Sequence, residues 1–224
     1  MACQSSTIHW VNMTGFITHC WKSAWAELWR RGGWVLGAWL FAASSVWAQT
    51  STVELTELRP ERRDAALYLT AQLKLELGPA VEDALVKGLA VHFVAEAEVL
   101  RDRWYWYDRK VGAATRYYRI AFQPLTRRWR LNVSNEPISG TGLAGSISQN
   151  FETLPEALDV IRRQSGWKVA DMADLDVEAR QYMTYRFRLD MSQLPRPFQI
   201  AAGNQTEWTL SVARQMRLTA DMVR

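Results

Sequence analysis

The chain has 224 residues, 48% hydrophobic and 22% charged, with a formal net charge of +4. These are globular proportions, and they exclude a disordered chain. From Gln49 onward 24 basic residues, twenty of them Arg, face 22 acids, a near balance that excludes an electrostatic case for nucleic acid.

Taken in order, the chain opens with a leader. Arg30-Arg31 precede an apolar run, Trp34 to Ala43, and a small-x-small box, Val46-Trp47-Ala48. This reads as a secretory signal peptide cut after Ala48. Trp34 to Ala48 is 15 residues, short of the roughly 20 that a membrane span needs. The expectation is a periplasmic mature protein, touching the membrane only through an uncleaved leader. Residues 1–29, with Trp10, Trp21, Trp25 and Trp29, lie upstream of the signal, and read as a start-site misassignment or a long n-region. Cys3, Cys20, His9 and His19 all fall in the leader. The mature chain, 49–224, has no Cys and one histidine, His92. That excludes disulfides, Cys-ligated metals and cysteine nucleophiles. Its size suffices for one hydrophobic core and a single domain.

Thr52 to Leu58 is a short strand, ended by Arg59-Pro60. Leu67, Leu69, Ala71, Leu73, Leu75 and Leu77 alternate with polar residues, the period of a half-buried strand. Gly78-Pro79 breaks it and opens a short helix with Val81, Ala84 and Leu85 on one face, stopped at Gly88.

Leu89 to Lys110 is the segment around which the rest is arranged. Leu89, Val91, Phe93, Ala95, Ala97 and Val99 form one face, with His92, Glu96 and Glu98 on the other. Then the faces exchange character at Arg101 and Arg103, which demands an exit from the core or a bulge. Beyond lie four consecutive aromatics, Trp104, Tyr105, Trp106 and Tyr107, followed by Arg109. Val111 to Ala114 reads as a weak turn, and Arg116–Gln123 with Trp129–Val133 as a β-hairpin around Pro124-Leu125-Thr126. Ser134 to Asn150 reads as a polar loop. Thr153-Leu-Pro-Glu156 is a capping box for a helix with Leu154, Ala157, Leu158 and Ile161 buried, ending at Gly166. Trp167–Ala170 and Ala179–Met191 read as strands, Leu194–Phe198 as a proline-bearing loop, and Trp208, Leu210 and Val212 as the last strand. The fold class is α+β, mainly β: an antiparallel sheet or sandwich of about seven strands with two short helices.

The segments RDRWYWYDRKV (Arg101 to Val111), RYYRIAF (Arg116 to Phe122), RRWRLNV (Arg127 to Val133), FETLPEAL (Phe151 to Leu158) and YRFRLD…LPRPFQI (Tyr185 to Ile200) resemble the bacterial exported family catalogued as domain of unknown function 4390. The resemblance spans nearly all of 52–218. It implies export in proteobacteria and genes that often neighbour those of a nitrogen-type membrane sensor kinase and its response regulator, and it assigns no activity or site.

The motifs that carry chemistry are few. Gly140 to Gly145 matches GxGxxG, but no strand leads directly through it into a helix, so no cofactor is expected. His92 is the only histidine through which a catalytic triad could pass, and no serine lies in a GxSxG turn. Glu96 with Glu98, and Asp171 with Asp174 and Asp176, are acid groups of the kind that glycosidases pair. The aromatic–arginine ribbon, Arg101, Arg103, Trp104, Tyr105, Trp106, Tyr107 and Arg109, has the residue types that dominate interface energetics. The reading is a non-enzymatic binding or regulatory module, linked to a membrane sensor kinase or another envelope protein. A carrier of an apolar ligand, and a hydrolase using His92 or the paired carboxylates, are the alternatives.

Overall fold

A strand with one leucine face must find a second layer, and the leucines of Ala66–Glu76 share a single core with side chains of Val91–Arg101 and Gln181–Leu189. The computed structural model describes residues 51–103, 107–138, 146–176, 179–203, 206–219 and 222. Contacts divide the chain into Met1–Ala48 and Gln49–Arg224, and every described residue belongs to the second unit. The leader, Trp104 to Trp106 and the Gly140–Gly145 motif lie outside the described residues.

Nine strands form two antiparallel sheets among the described residues. The smaller sheet joins β1 (Thr52–Arg63), β2 (Ala66–Glu76) and β7 (Arg163–Asp171) in that order. The larger runs β6 (Ile147–Phe151), β5 (Arg128–Ser134), β4 (Arg109–Gln123), β3 (Val91–Arg101), β8 (Gln181–Leu189) and β9 (Ser211–Arg217). Helices α1 (Pro79–Val86), α2 (Leu154–Arg162) and α3 (Arg196–Gly203) complete the α+β, mainly β architecture.

The alternating residues go where their period sends them. Leu67, Leu69 and Leu75 of β2, Val91, Phe93, Ala95, Ala97 and Val99 of β3, and Met183, Tyr185 and Phe187 of β8 have no solvent-accessible surface. With Leu85 of α1, Ile161 of α2 and Trp167 of β7 they make a single core. Phe93 and Phe187, on neighbouring strands, stack with ring centroids 5.6 Å apart. Each such side chain contributes about 1.5–3 kcal/mol by burial.

Helix α2 begins as its sequence requires. The Glu156 backbone N–H donates to Thr153 Oγ1, and Pro155 sits in the first turn. Arg162 at its last turn reaches back to the Leu75 carbonyl with Nε and Nη2, at 3.1 and 2.7 Å, fixing the helix to β2. Helix α1 is capped from far away in sequence: the Ala80 N–H donates to Glu207 Oε2 at 2.9 Å, a negative group at the positive end of a helix.

Several sequence expectations change. β1 does not stop at Pro60 but continues to Arg63, with Pro60 opposite Leu69. It is an edge strand, where the missing proline N–H costs no ladder bond. Asp64, at φ 51°, then makes the two-residue turn to β2. Val111–Ala114 is no turn, because β4 runs straight through it. A Cβ on Gly112 would sit 2.5 Å from Ala170 Cβ and 2.6 Å from the Val169 carbonyl, so this glycine lets the two sheets close on each other. Part of the expected 134–150 loop is strand β6, paired with β5 from Val133↔Ile147 to Trp129↔Phe151. α2 ends at Arg162 rather than Gly166, which at φ 61° sits in β7 where two of its residues lie between the partners of Leu69 and Ala71. That is a bulge with glycine in the left-handed region. The proline-bearing loop contains α3, and Trp208 lies in a 3-10 turn ahead of β9.

Candidate partner-binding surface

The β3–β4 hairpin carries Arg101, Arg103, Tyr107 and Arg109, the described residues of the aromatic–arginine ribbon, around its tip. Its foot is irregular where the sequence faces exchange: the register shifts between Val99 and Leu100, after which Leu100 pairs with Lys110 and Arg101 with Arg109. A bulge there turns the strand end out of the core.

Three ties brace this foot. Arg101 Nη2 donates to the Asp174 carbonyl at 3.3 Å, and Nη1 lies 3.6 Å from Asp176 Oδ2. The Asp102 N–H donates to the Arg180 carbonyl at 3.0 Å. The Tyr182 hydroxyl donates to Asp108, and this bond to the carboxylate raises the Tyr182 pKa to about 12. Arg101 is therefore a positioning residue, half-buried, and not a free contact. Beyond it Arg103, Tyr107 and Arg109 are exposed, with Tyr107 at 85%. Trp104, Tyr105 and Trp106 lie outside the described residues.

The polar residues of β3 line the outer face of the larger sheet. Glu96 faces Arg188 Nη2 at 3.4 Å and Arg186 Nη1 at 3.6 Å, and Lys110 pairs with Glu98. These carboxylates, the sequence's candidate acid pair, are engaged by three cations. Of the second acid group, Asp171 pairs with Lys168 at 2.7 Å and Asp176 with Arg101, so that group serves the sheet edge and the hairpin foot.

His92 lies opposite Arg119 in β4. Burial, and then the Arg119 charge, lower its pKa to about 4 against an opposing pull from Asp190, so the imidazole is neutral at pH 7. Among the described residues its buried Nδ1 has no hydrogen-bond partner, nor has Asn132 Nδ2, two strands over in the same cross-strand row. Among the described residues no group of three or more His, Cys, Asp or Glu side chains is placed to hold a metal.

The family model described as Domain of unknown function (DUF4390) matches residues 50–217. The chain belongs to this family. No curated protein and no solved structure matches it. The DUF4390 match covers both sheets and all three helices, from just ahead of β1 to the end of β9. No helix among the described residues of this DUF4390 chain is long and apolar enough to cross a membrane.

Two things here escape sequence reading. The anchoring role of Arg101 depends on Asp174 and Asp176, which only the fold brings to it. Tyr182, on β8, reads as an ordinary outward strand residue until its register with Leu100 places it beside Asp108.

Proposed function

We propose that this is an exported, non-enzymatic binding module of the periplasm, whose contact surface is the β3–β4 tip and whose partner is a membrane sensor kinase or another envelope protein. The observation that carries this reading is Tyr107, 85% exposed on a tip whose foot is fixed by Arg101 and by the Asp108–Tyr182 bond. A large ring held out in water between exposed arginines gains most from a partner, because aromatic and Arg side chains bury much area and keep a polar handle. A braced foot reduces the ordering cost of binding. Export is supported by the leader, and by the compact unit that starts at Gln49, directly after the expected cut.

The two alternatives find less support. A carrier needs an apolar chamber between sheets and helices, yet the core side chains that would wall it have no accessible surface. A hydrolase needs convergence. His92 and Glu96 stand four residues apart on one strand, about 13 Å, and Glu96 and Glu98 are engaged by Arg186, Arg188 and Lys110.

The test is affinity capture from cross-linked periplasm and membranes. Wild type, the Trp104→Ala/Trp106→Ala double variant and Tyr107→Ala are compared, with circular dichroism to verify folding. Wild type alone should retain an envelope partner. Equal capture by folded variants overturns the assignment of the tip.

A further inference from the structure

β4 is covered unequally by its two neighbours. β3 pairs with it from Arg109 to Ile120, whereas β5 pairs only from Tyr117 to Gln123. Along 109–116, the alternate N–H and C=O groups that point away from β3 have no strand partner among the described residues. Beside this open edge runs a groove of about 440 Å³ lined by Ala113, Thr115, Arg116, Asn135, Gly166 and Lys168. The β7 bulge at Gly166 forms part of its wall, and the space where that glycine's Cβ would lie is open.

We propose that the 109–116 edge of β4 takes an extended, acidic peptide segment of a partner protein as an added strand. Unpaired main-chain groups on a sheet edge are a template for another strand, and their hydrogen bonds supply affinity whatever the peptide sequence. Charge then selects the occupant. Lys110 and Lys168 are answered by Glu98 and Asp171. Arg109 and Arg116 form no ion pair with a carboxylate among the described residues, and Arg116 is held over the Trp167 ring at 5.2 Å. Arg109 and Arg116 therefore favour an acidic guest over a basic one. A four-residue strand, about 13 Å long, spans the groove wall from Ala113 to Arg116.

This inference rests on the binding reading, since the edge begins at the foot of the tip and a partner held there lies beside it. Its test is separate. A displayed library of random octapeptides is selected on the purified protein, and the enriched peptides are resynthesised. They should alternate β-branched residues with Asp or Glu, and should slow amide exchange across 109–116. They should lose at least tenfold in affinity when alternate backbone amides are N-methylated. Lys168→Glu and Asn135→Trp, both on the surface of the groove, should each weaken binding about tenfold. Leu125→Ala, on an exposed turn outside the groove, should leave binding unchanged. No enrichment, basic winners, tolerance of N-methylation, or protection confined to another strand each overturns the edge site. A negative selection together with tip-dependent partner capture removes the edge and leaves the tip standing.

Discussion

The Tyr185 hydroxyl donates to Gln164 Oε1 at 3.1 Å, inside the core and between strands of different sheets. Gln164 uses its amide group as well, donating Nε2 to the Ile161 carbonyl at the end of α2. Trp167 packs edge-on against the Tyr185 ring at 6.3 Å. Burial pushes the Tyr185 pKa upward, so the phenol stays protonated and remains a donor. Tyr185→Phe leaves the Gln164 oxygen buried without a donor. It should cost about 1–3 kcal/mol, read from urea unfolding. Gln164→Leu in the same molecule should recover part of that loss, and additive losses would show that the pair is not coupled.

Gly112→Ala tests the close approach of the sheets. The new methyl would meet Val169 and Ala170, which are backbone and Cβ atoms with little room to give. Destabilisation of about 1–3 kcal/mol is expected from such overpacking, measured as a lower midpoint of thermal unfolding. An unchanged midpoint would mean that the sheets slide freely at this point.

His92 makes stability depend on pH. Its pKa is about 4 in the folded protein and 6.5 in an unfolded chain. Between those values the unfolded chain binds the extra proton, so stability is fully present above pH 6.5 and falls as the pH drops toward 4. His92→Gln should flatten this part of the stability curve. A slope identical to wild type in denaturant titrations from pH 7 to 4 would assign the effect to other groups.

Glu207 caps α1 across the molecule through Ala80. Glu207→Ala should cost about 1 kcal/mol, with faster amide exchange confined to the first turn of α1 and the 206–208 segment. Uniform acceleration throughout the protein would instead indicate global destabilisation.

Much of the fold was legible because half-buried strands announce themselves. β2, β3 and β8 each alternate over five or more positions, and the Thr153 capping box marks the start of α2 as soon as it is read. What was not legible has no buried face to betray it. β6 is an edge strand whose residues are mostly exposed, so only its pairing with β5 reveals it. α3 begins amid two prolines, which in sequence resemble a loop; in space Pro195 precedes the helix and Pro197 sits in its first turn. The surface was legible in part. The exchange of faces at Arg101 and Arg103 marked the bulge and the exposed tip. The tip's bracing by Asp174, Asp176 and Tyr182 depends on contacts about 73 to 75 residues away in the chain, which no local pattern contains.

The place of β3 has a consequence for the order of events in the cell. This strand occupies the middle of the larger sheet, and one of its two neighbours, β8, is paired from Arg101↔Gln181 to Phe93↔Leu189, so 80 or more residues must be made before the pairing can start. Contacts of such separation close slowly, and β3 lacks one of its two neighbours until β8 has been made. A nascent chain that stops short of β8 therefore leaves one flank of β3 without its partner strand, and the Phe93–Phe187 stack waits on the second ring.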